Sequence, residues 1–375
     1  MRMRNVTKWV LGSSLCLAAV NPALADGEKK APVLEKGKVT LESAGAIAFA
    51  PSGVLLVADP MAARVVAIAT DDGAAGSDAK SIAVGGLDTK IAAALGTTAQ
   101  DIRIVDLAVH PVSGNAYLSV ARGTAPDAPG VLVRVDHQST IGIVDLDLVR
   151  HAAVTLEAVP ARDAVSGRSR ERARLQSITD LAYVDGQVLV AGMSNEEFAS
   201  TLRSIPYPFG SSREPTSVEI YHGAHGRFET QSPVRTFVSL VVGGEPHILA
   251  AYQCTPLVSI PLAELKPGAK VKGRTIAELG NRNRPLDMIV YDKGGSEFML
   301  IANNSRGVMK IKTTDLEKAP EVSSRVEDGK SEGVPYETLA DWKNIHQLDR
   351  ADLAHALVVR QSDSGALDLA TLPLP

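Results

Sequence analysis

One pattern constrains this chain more than any other: a strand–turn–strand–loop–strand unit that recurs along its length. In the first unit an apolar stretch at 46–49 meets the turn Pro51-Ser52-Gly53. A second stretch at 54–58 runs into a polar loop from Asp59, and a third follows at 64–69. The order returns at 105–135, 179–221, 235–260 and 286–311, and in weaker form at 345–370. The reversals carry Gly, Asp and Ser, the residues that tight turns need. One such unit alone is a hairpin meander. Six in register, spaced by about 50 to 75 residues, predict an all-β fold, a β-propeller of six blades, with seven as the alternative. Seven would require a degenerate unit hidden in the long third interval. Residues 39–41 are expected to supply the outer strand that closes the ring onto the last blade, and 87–95 reads as a short helix.

Two segments carry a resemblance. Ala-Phe-Ala-Pro-Ser-Gly-Val-Leu-Leu-Val-Ala-Asp at 48–59 and Ala-Val-His-Pro-Val-Ser-Gly-Asn-Ala-Tyr-Leu-Ser-Val at 108–120 look like strand–turn–strand units of the NHL, YVTN and gluconolactonase-type propeller superfamily. The similarity spans about five units and implies fold more than function. Lactonase-like relatives hold a divalent cation at the axis with Glu, Asn and Asp. The resemblance therefore makes Asp59, Asn195, Asn303 and Asp363 candidate metal ligands by residue type. The glutamate expected early in the first inner strand is missing from 44–49, and Glu42 falls ahead of it. Of 2 tryptophans only Trp342 lies beyond the first 25 residues, which points away from tryptophan-rich propellers and from a quinone-binding dehydrogenase.

The first residues read as an export signal. Arg2, Arg4 and Lys8 precede an apolar core at 9–20, and Ala23-Leu24-Ala25 is an A-x-A cleavage pattern. The expected organisation is a signal peptide at 1–25, a polar segment at 26–38, and one propeller at 39–375 with a long loop at 194–216. Periplasmic or secreted location follows. Of 2 cysteines, Cys254 alone would remain, so no disulfide framework holds the chain. A formal charge of −4 offers no basic stripe for nucleic acid, and no apolar run beyond the signal is long enough to span a membrane.

Propeller geometry gathers loops and inner-strand starts on one face. Arg103, Arg122, Arg284, Asn344 and Cys254 are the ligand-binding candidates there, with Gln176 beside them. The long loop, holding Phe198, Tyr207 and Phe209 in a chain only 4% aromatic, reads as a lid or docking arm. Arg282 and Arg284 could clamp an anion, with Asp287 pairing to them structurally. On the opposite face, His222, His225 and His247 are imidazoles suited to zinc or copper. The leading reading is a propeller that binds a small molecule or a periplasmic protein partner. A lactonase-like hydrolase using a divalent metal such as calcium or zinc, and a copper- or cytochrome-linked redox accessory protein, are the alternatives.

Overall fold

A computed structural model describes residues 33–73, 81–166, 171–210, 214–253, 256–280 and 282–375. The expected signal at 1–25 and the candidate Cys254 lie outside these residues. Six antiparallel blades surround one axis, which settles the blade number at six. Their inner strands, numbered by blade in chain order, are Ile47–Ala50, Ile102–Val109, Asp180–Val184, Val234–Val242, Pro285–Lys293 and Ile345–Arg350. The middle strands are apolar on both faces because each blade is packed between two others. Val54–Asp59 is buried at every position, and Gln187–Met193 at all but its ends. Such strands read as continuous apolar runs rather than alternating ones.

The blades do not follow one another in chain order. Inner strands touch in the sequence 1–3–4–5–6–2 and back to 1. The core repeats this order. Leu56 and Val65 of blade 1 pack with Val188 and Val190 of blade 3. Leu118 and Val133 of blade 2 pack with Leu357 and Val359 of blade 6. After three strands of blade 1 the chain adds Ala83–Val84 to the outside of blade 6, builds blade 2, and returns to lay Val149–Thr155 outside blade 1. The strand closing the last blade is therefore Ala83–Val84, not residues 39–41. Those lie between blades 1 and 2, where Val39 N–H donates to Leu146 O at 2.9 Å and Leu41 bridges Gly130. A cysteine pair at Ala67→Cys and Ala152→Cys, directly opposed across this return strand, should form a cross-link visible by mass spectrometry under oxidising conditions. Failure of that pair to cross-link would contradict the return of this strand to blade 1.

The expected long loop at 194–216 contains a strand. Ser200–Pro206 is the third strand of blade 3, and Thr216–His222 is its fourth. Polar Ser200, Thr201 and Arg203 hid it, yet all three are buried, while Leu202 and Ile205 fill the cores on opposite sides. Tyr207 and Phe209 pack against the blade 1–blade 3 core, with Tyr207 edge-on to Tyr183 at 5.6 Å. Phe198 lies beneath the Lys270 ammonium, 4.4 Å from its ring centre. These aromatics anchor the blade; they are not held out as a lid. The extra strand also reverses direction, so the end of Thr216–His222 changes face.

Candidate functional site

The inner strands leave an axial channel, narrow at the end where they begin and wide where they finish. The narrow mouth is a cavity of about 270 Å³. Arg103 of blade 2, Arg235 of blade 4 and Arg284 of blade 5 line it, with Gln176 ahead of blade 3 and Gln347 of blade 6. Blade 1 supplies only Ala44, Gly45, Ala46 and Pro60. A Cβ on Gly45 would sit 2.6 Å from the Ala58 carbonyl oxygen, so this side stays small. The Arg103 guanidinium donates to Pro126 O at 3.2 Å, and that of Arg235 to Gln253 Oε1 at 2.8 Å. Both heads are therefore aimed before any ligand arrives.

Directly below the mouth lies a layer of carboxylates. Asp106, Asp180, Asp287 and Asp349 occupy matching positions on blades 2, 3, 5 and 6. Each uses Oδ1 to accept the N–H of the next residue, at 2.7 to 2.8 Å. Each Oδ2 accepts an N–H from the adjacent inner strand: Ile47 at 2.7 Å, Phe237 at 2.8 Å, Leu348 at 2.8 Å and Val109 at 2.7 Å respectively. The aspartates thus tie neighbouring blades together at the axis. Asp287 does not pair with an arginine, because backbone donors already occupy both oxygens. The four side chains are partly accessible from the channel, but the depth of protein around them strips bulk solvation. Burial and then repulsion from other aspartates push Asp106 and Asp287 well above the ordinary carboxylate value. Burial pushes Asp180 up to about 7 and Asp349 up to about 6, against their backbone hydrogen bonds. Beyond this layer the channel widens into a cavity of about 580 Å³, lined by Phe49, Tyr183, Phe237 and Met288 among others.

Of the ligand-binding candidates, Arg103 and Arg284 reach the mouth, as does Gln176. Arg122 does not; its guanidinium donates to Leu95 O at 3.0 Å, beside the helix Leu87–Ala94. Asn344 turns away in a left-handed backbone conformation, its carbonyl accepting from Gln361 N–H. Arg235 and Gln347 were missed because strand ends, not side-chain type, decide who faces the axis.

Asp59, Asn195, Asn303 and Asp363 do not converge, and none lines the channel. Asp59 is fully buried, accepting from the Glu42 and Ser43 amides at 2.9 and 3.0 Å and from Arg64 at 3.2 Å. Asn303 is consumed by Asn283 and by backbone carbonyls of its own turn. Asn195 and Asp363 are exposed on blades 3 and 6. The lactonase-like ligand set thus has no common centre.

The histidines divide. His247 begins the second strand of blade 4, on the wide-end face, and its Nδ1 meets Ser259 Oγ at 2.8 Å. His222 ends the fourth strand of blade 3, so it and His225 lie on the mouth face, contrary to the expectation that they oppose the funnel. Glu229 joins these two histidines, and no other group of three potential ligands clusters so closely among the described residues. Burial would raise Glu229, but hydrogen bonds from His222, His225 and Ser232 outweigh it and hold the carboxyl well below its usual value.

No family model matches this chain, and no curated protein does. Among solved structures it is similar to the PQQ-bound aldose sugar dehydrogenase of Streptomyces coelicolor, with 11% identity over 91% of this chain and 97% of that one, at a TM-score of 0.30. It is also similar to a protein assigned as an exo-beta-1,3-galactanase from Bifidobacterium bifidum s17, with 10% identity over 78% and 92% of the two chains and a TM-score of 0.36. Overlays this loose leave the fold to rest on the strand pairing above.

Proposed function

We propose that this protein is an exported ligand-binding propeller, kin at the level of fold to NHL and gluconolactonase-type proteins, whose axial mouth takes a small anionic molecule. The observation that carries the reading is the convergence of Arg103, Arg235 and Arg284 on one cavity of about 270 Å³, with amides from two further blades. Guanidinium groups bind carboxylates and phosphates bidentately, and their attraction strengthens where water is restricted. The glutamines add neutral donors and acceptors, and the bare edge of blade 1 leaves room for an apolar side of the ligand.

Calorimetric titration with succinate, citrate, gluconate and inorganic phosphate tests the proposal. At least one of these should bind the wild-type protein, and Arg103→Ala with Arg284→Ala should weaken it by 10-fold or more, about 1.4 kcal/mol. No binding across the panel, or binding indifferent to both substitutions, would refute the reading. Both side chains are exposed, so the double variant should fold. No described helix is long and apolar enough to cross a membrane. Export itself is tested by N-terminal sequencing of material recovered from outside the cytoplasm, expected to begin at Asp26.

A further inference from the structure

On the outer rim of the mouth face, where blades 3 and 4 meet, two buried polar atoms face each other without a hydrogen-bond partner. They are His222 Nε2 and Glu278 Oε1, 3.9 Å apart, on side chains only 2% and 0% exposed. The local chain explains how they come to be there. Gly223–His225 is a single 3-10 turn, in which side chains three apart eclipse. It stacks the His222 and His225 rings with centres 3.9 Å apart. Gly226, with φ +65°, then reverses the chain, and Arg227–Glu229 folds back antiparallel on the strand that carries His222. Glu229 consequently meets both rings, at 2.8 Å from His222 Nδ1 and 2.7 Å from His225 Nδ1. Glu278 arrives from the outer strand of blade 4, which pairs in parallel with this strand, and its Oε2 accepts Gly223 N–H at 3.0 Å. A Cβ on Gly223 would fall 3.0 Å from that oxygen and 2.9 Å from Val326. The pocket therefore depends on glycine there.

We infer that His222 Nδ1, His225 Nδ1 and the Glu229 carboxylate form a site for a divalent transition cation of the zinc or copper class, with Glu278 as its positioning residue. In the metal-free arrangement His222 Nδ1 lies 2.8 Å from a Glu229 carboxylate oxygen. Nε2 and Glu278 Oε1 face each other with no hydrogen-bond partner. A cation bound at Nδ1 places the ring proton on Nε2. That proton points at Glu278 Oε1, giving the carboxylate–histidine–metal relay that orients such ligands. One event thus gives each orphaned atom a complementary partner, needing only a small approach across the 3.9 Å gap. The three ligand atoms already lie within 4.8 Å of one another. Opening the two N···O contacts by about 0.6 Å would admit an ion about 2.1 Å from each. His225 is half-exposed, which leaves a further coordination position toward solvent. Arg227 Nε also reaches Glu229 Oε1, at 3.2 Å, but its side chain is 72% exposed and can withdraw into water. Nitrogen-rich ligation selects zinc and copper over calcium and magnesium.

The test is calorimetric titration of chelator-treated, full-length protein with ZnCl2 and CuCl2, with CaCl2 and MgCl2 in parallel. One equivalent of zinc or copper should bind, and neither hard ion should compete. His225→Ala removes an exposed ligand without opening the core and should weaken binding by about 100-fold. Glu278→Gln should weaken it by about 10-fold, because one amide oxygen cannot serve both Gly223 and the His222 relay. Cobalt substitution reads the geometry independently, since Glu278→Gln should change the visible band of the bound ion while His247→Ala leaves it unchanged. Circular dichroism confirms that each variant is folded. Saturable binding retained in full by His225→Ala, or no zinc or copper binding by folded wild-type protein, overturns the assignment.

Discussion

Raising the pH from 6.5 to 8 should destabilise this protein, lowering its urea midpoint by the equivalent of about 1 kcal/mol or more. The cause is the axial carboxylate layer. Unfolded, Asp106, Asp180, Asp287 and Asp349 release their protons near the ordinary value of about 4. Folded, Asp349 holds its proton up to about 6 and Asp180 up to about 7, while burial and repulsion from neighbouring aspartates hold Asp106 and Asp287 well above the ordinary value. Between these limits the folded state binds more protons than the unfolded one, so stability is full below pH 4 and drains away as pH rises. Burial lowers His110, His247 and His346, and these oppose the trend, but only below the ordinary imidazole value near 6.5. Each pH step then removes about 1.4 kcal/mol per carboxyl still protonated, before discounting for channel water. At the acid end Asp72 works in the other direction. Burial alone would raise it, but hydrogen bonds from Asn115, Arg134, Tyr117 and Ser113 hold it low, so its contribution is lost below about pH 4. Asp180→Asn should flatten the slope between pH 6.5 and 8. A midpoint that holds or rises toward pH 8 would show that the four groups ionise freely.

Gly192→Ala should cost about 3 kcal/mol or more, a large effect for one methyl group. Its Cβ would stand 2.1 Å from the Ser177 carbonyl oxygen and 2.6 Å from the carbonyl carbon. Both are backbone atoms, with no rotamer to move aside. Ser177 is itself fixed, buried and donating through Oγ to Pro60 O at 3.0 Å, which joins blade 3 to blade 1. Displacing it would also shift Gln176 at the mouth, so ligand affinity and guanidinium midpoint should fall together. Gly142→Ala, with nothing within 4 Å of the added carbon, is the control and should be near neutral. Equal midpoints for the two variants would show that the strands part more easily than their contacts suggest.

Much of the fold could be read from the chain, because short apolar strands punctuated by glycine turns are set by local chemistry. Ser200–Pro206 escaped notice because its buried polar residues mimic a loop, and that one strand moved His222 and His225 to the wrong face. Blade order was illegible for a different reason. The return strand Val149–Thr155 and the two-residue Ala83–Val84 carry nothing in their sequence that names a partner blade. At the site, Arg103 and Arg284 were found by strand counting, whereas Asp106, Asp180 and Asp349 were passed over and Asp287 was read as an arginine partner. Val105-Asp106-Leu107, Thr179-Asp180-Leu181 and Leu286-Asp287-Met288 share a signal at the start of three inner strands, but aspartate before a strand also reads as an ordinary turn residue.

The reordered blades give the ring two joints where a sequential ring has one. Blades 1 and 2 are adjacent, and so are blades 3 to 6, but the contacts between 1 and 3 and between 2 and 6 join distant stretches of chain. The protein is in effect two arcs, an N-terminal pair and a C-terminal four, meeting on both sides of a shared channel. During synthesis the first arc is complete long before its counterpart exists, and its two open flanks must wait for all four remaining blades. Cleavage in the connection between blades 2 and 3 would leave two fragments, the N-terminal one also carrying Ala83–Val84, the outer strand of blade 6, so that each holds a part the other needs. This chain is therefore suited to reassembly from halves, with the axial cavity existing only once the halves have joined.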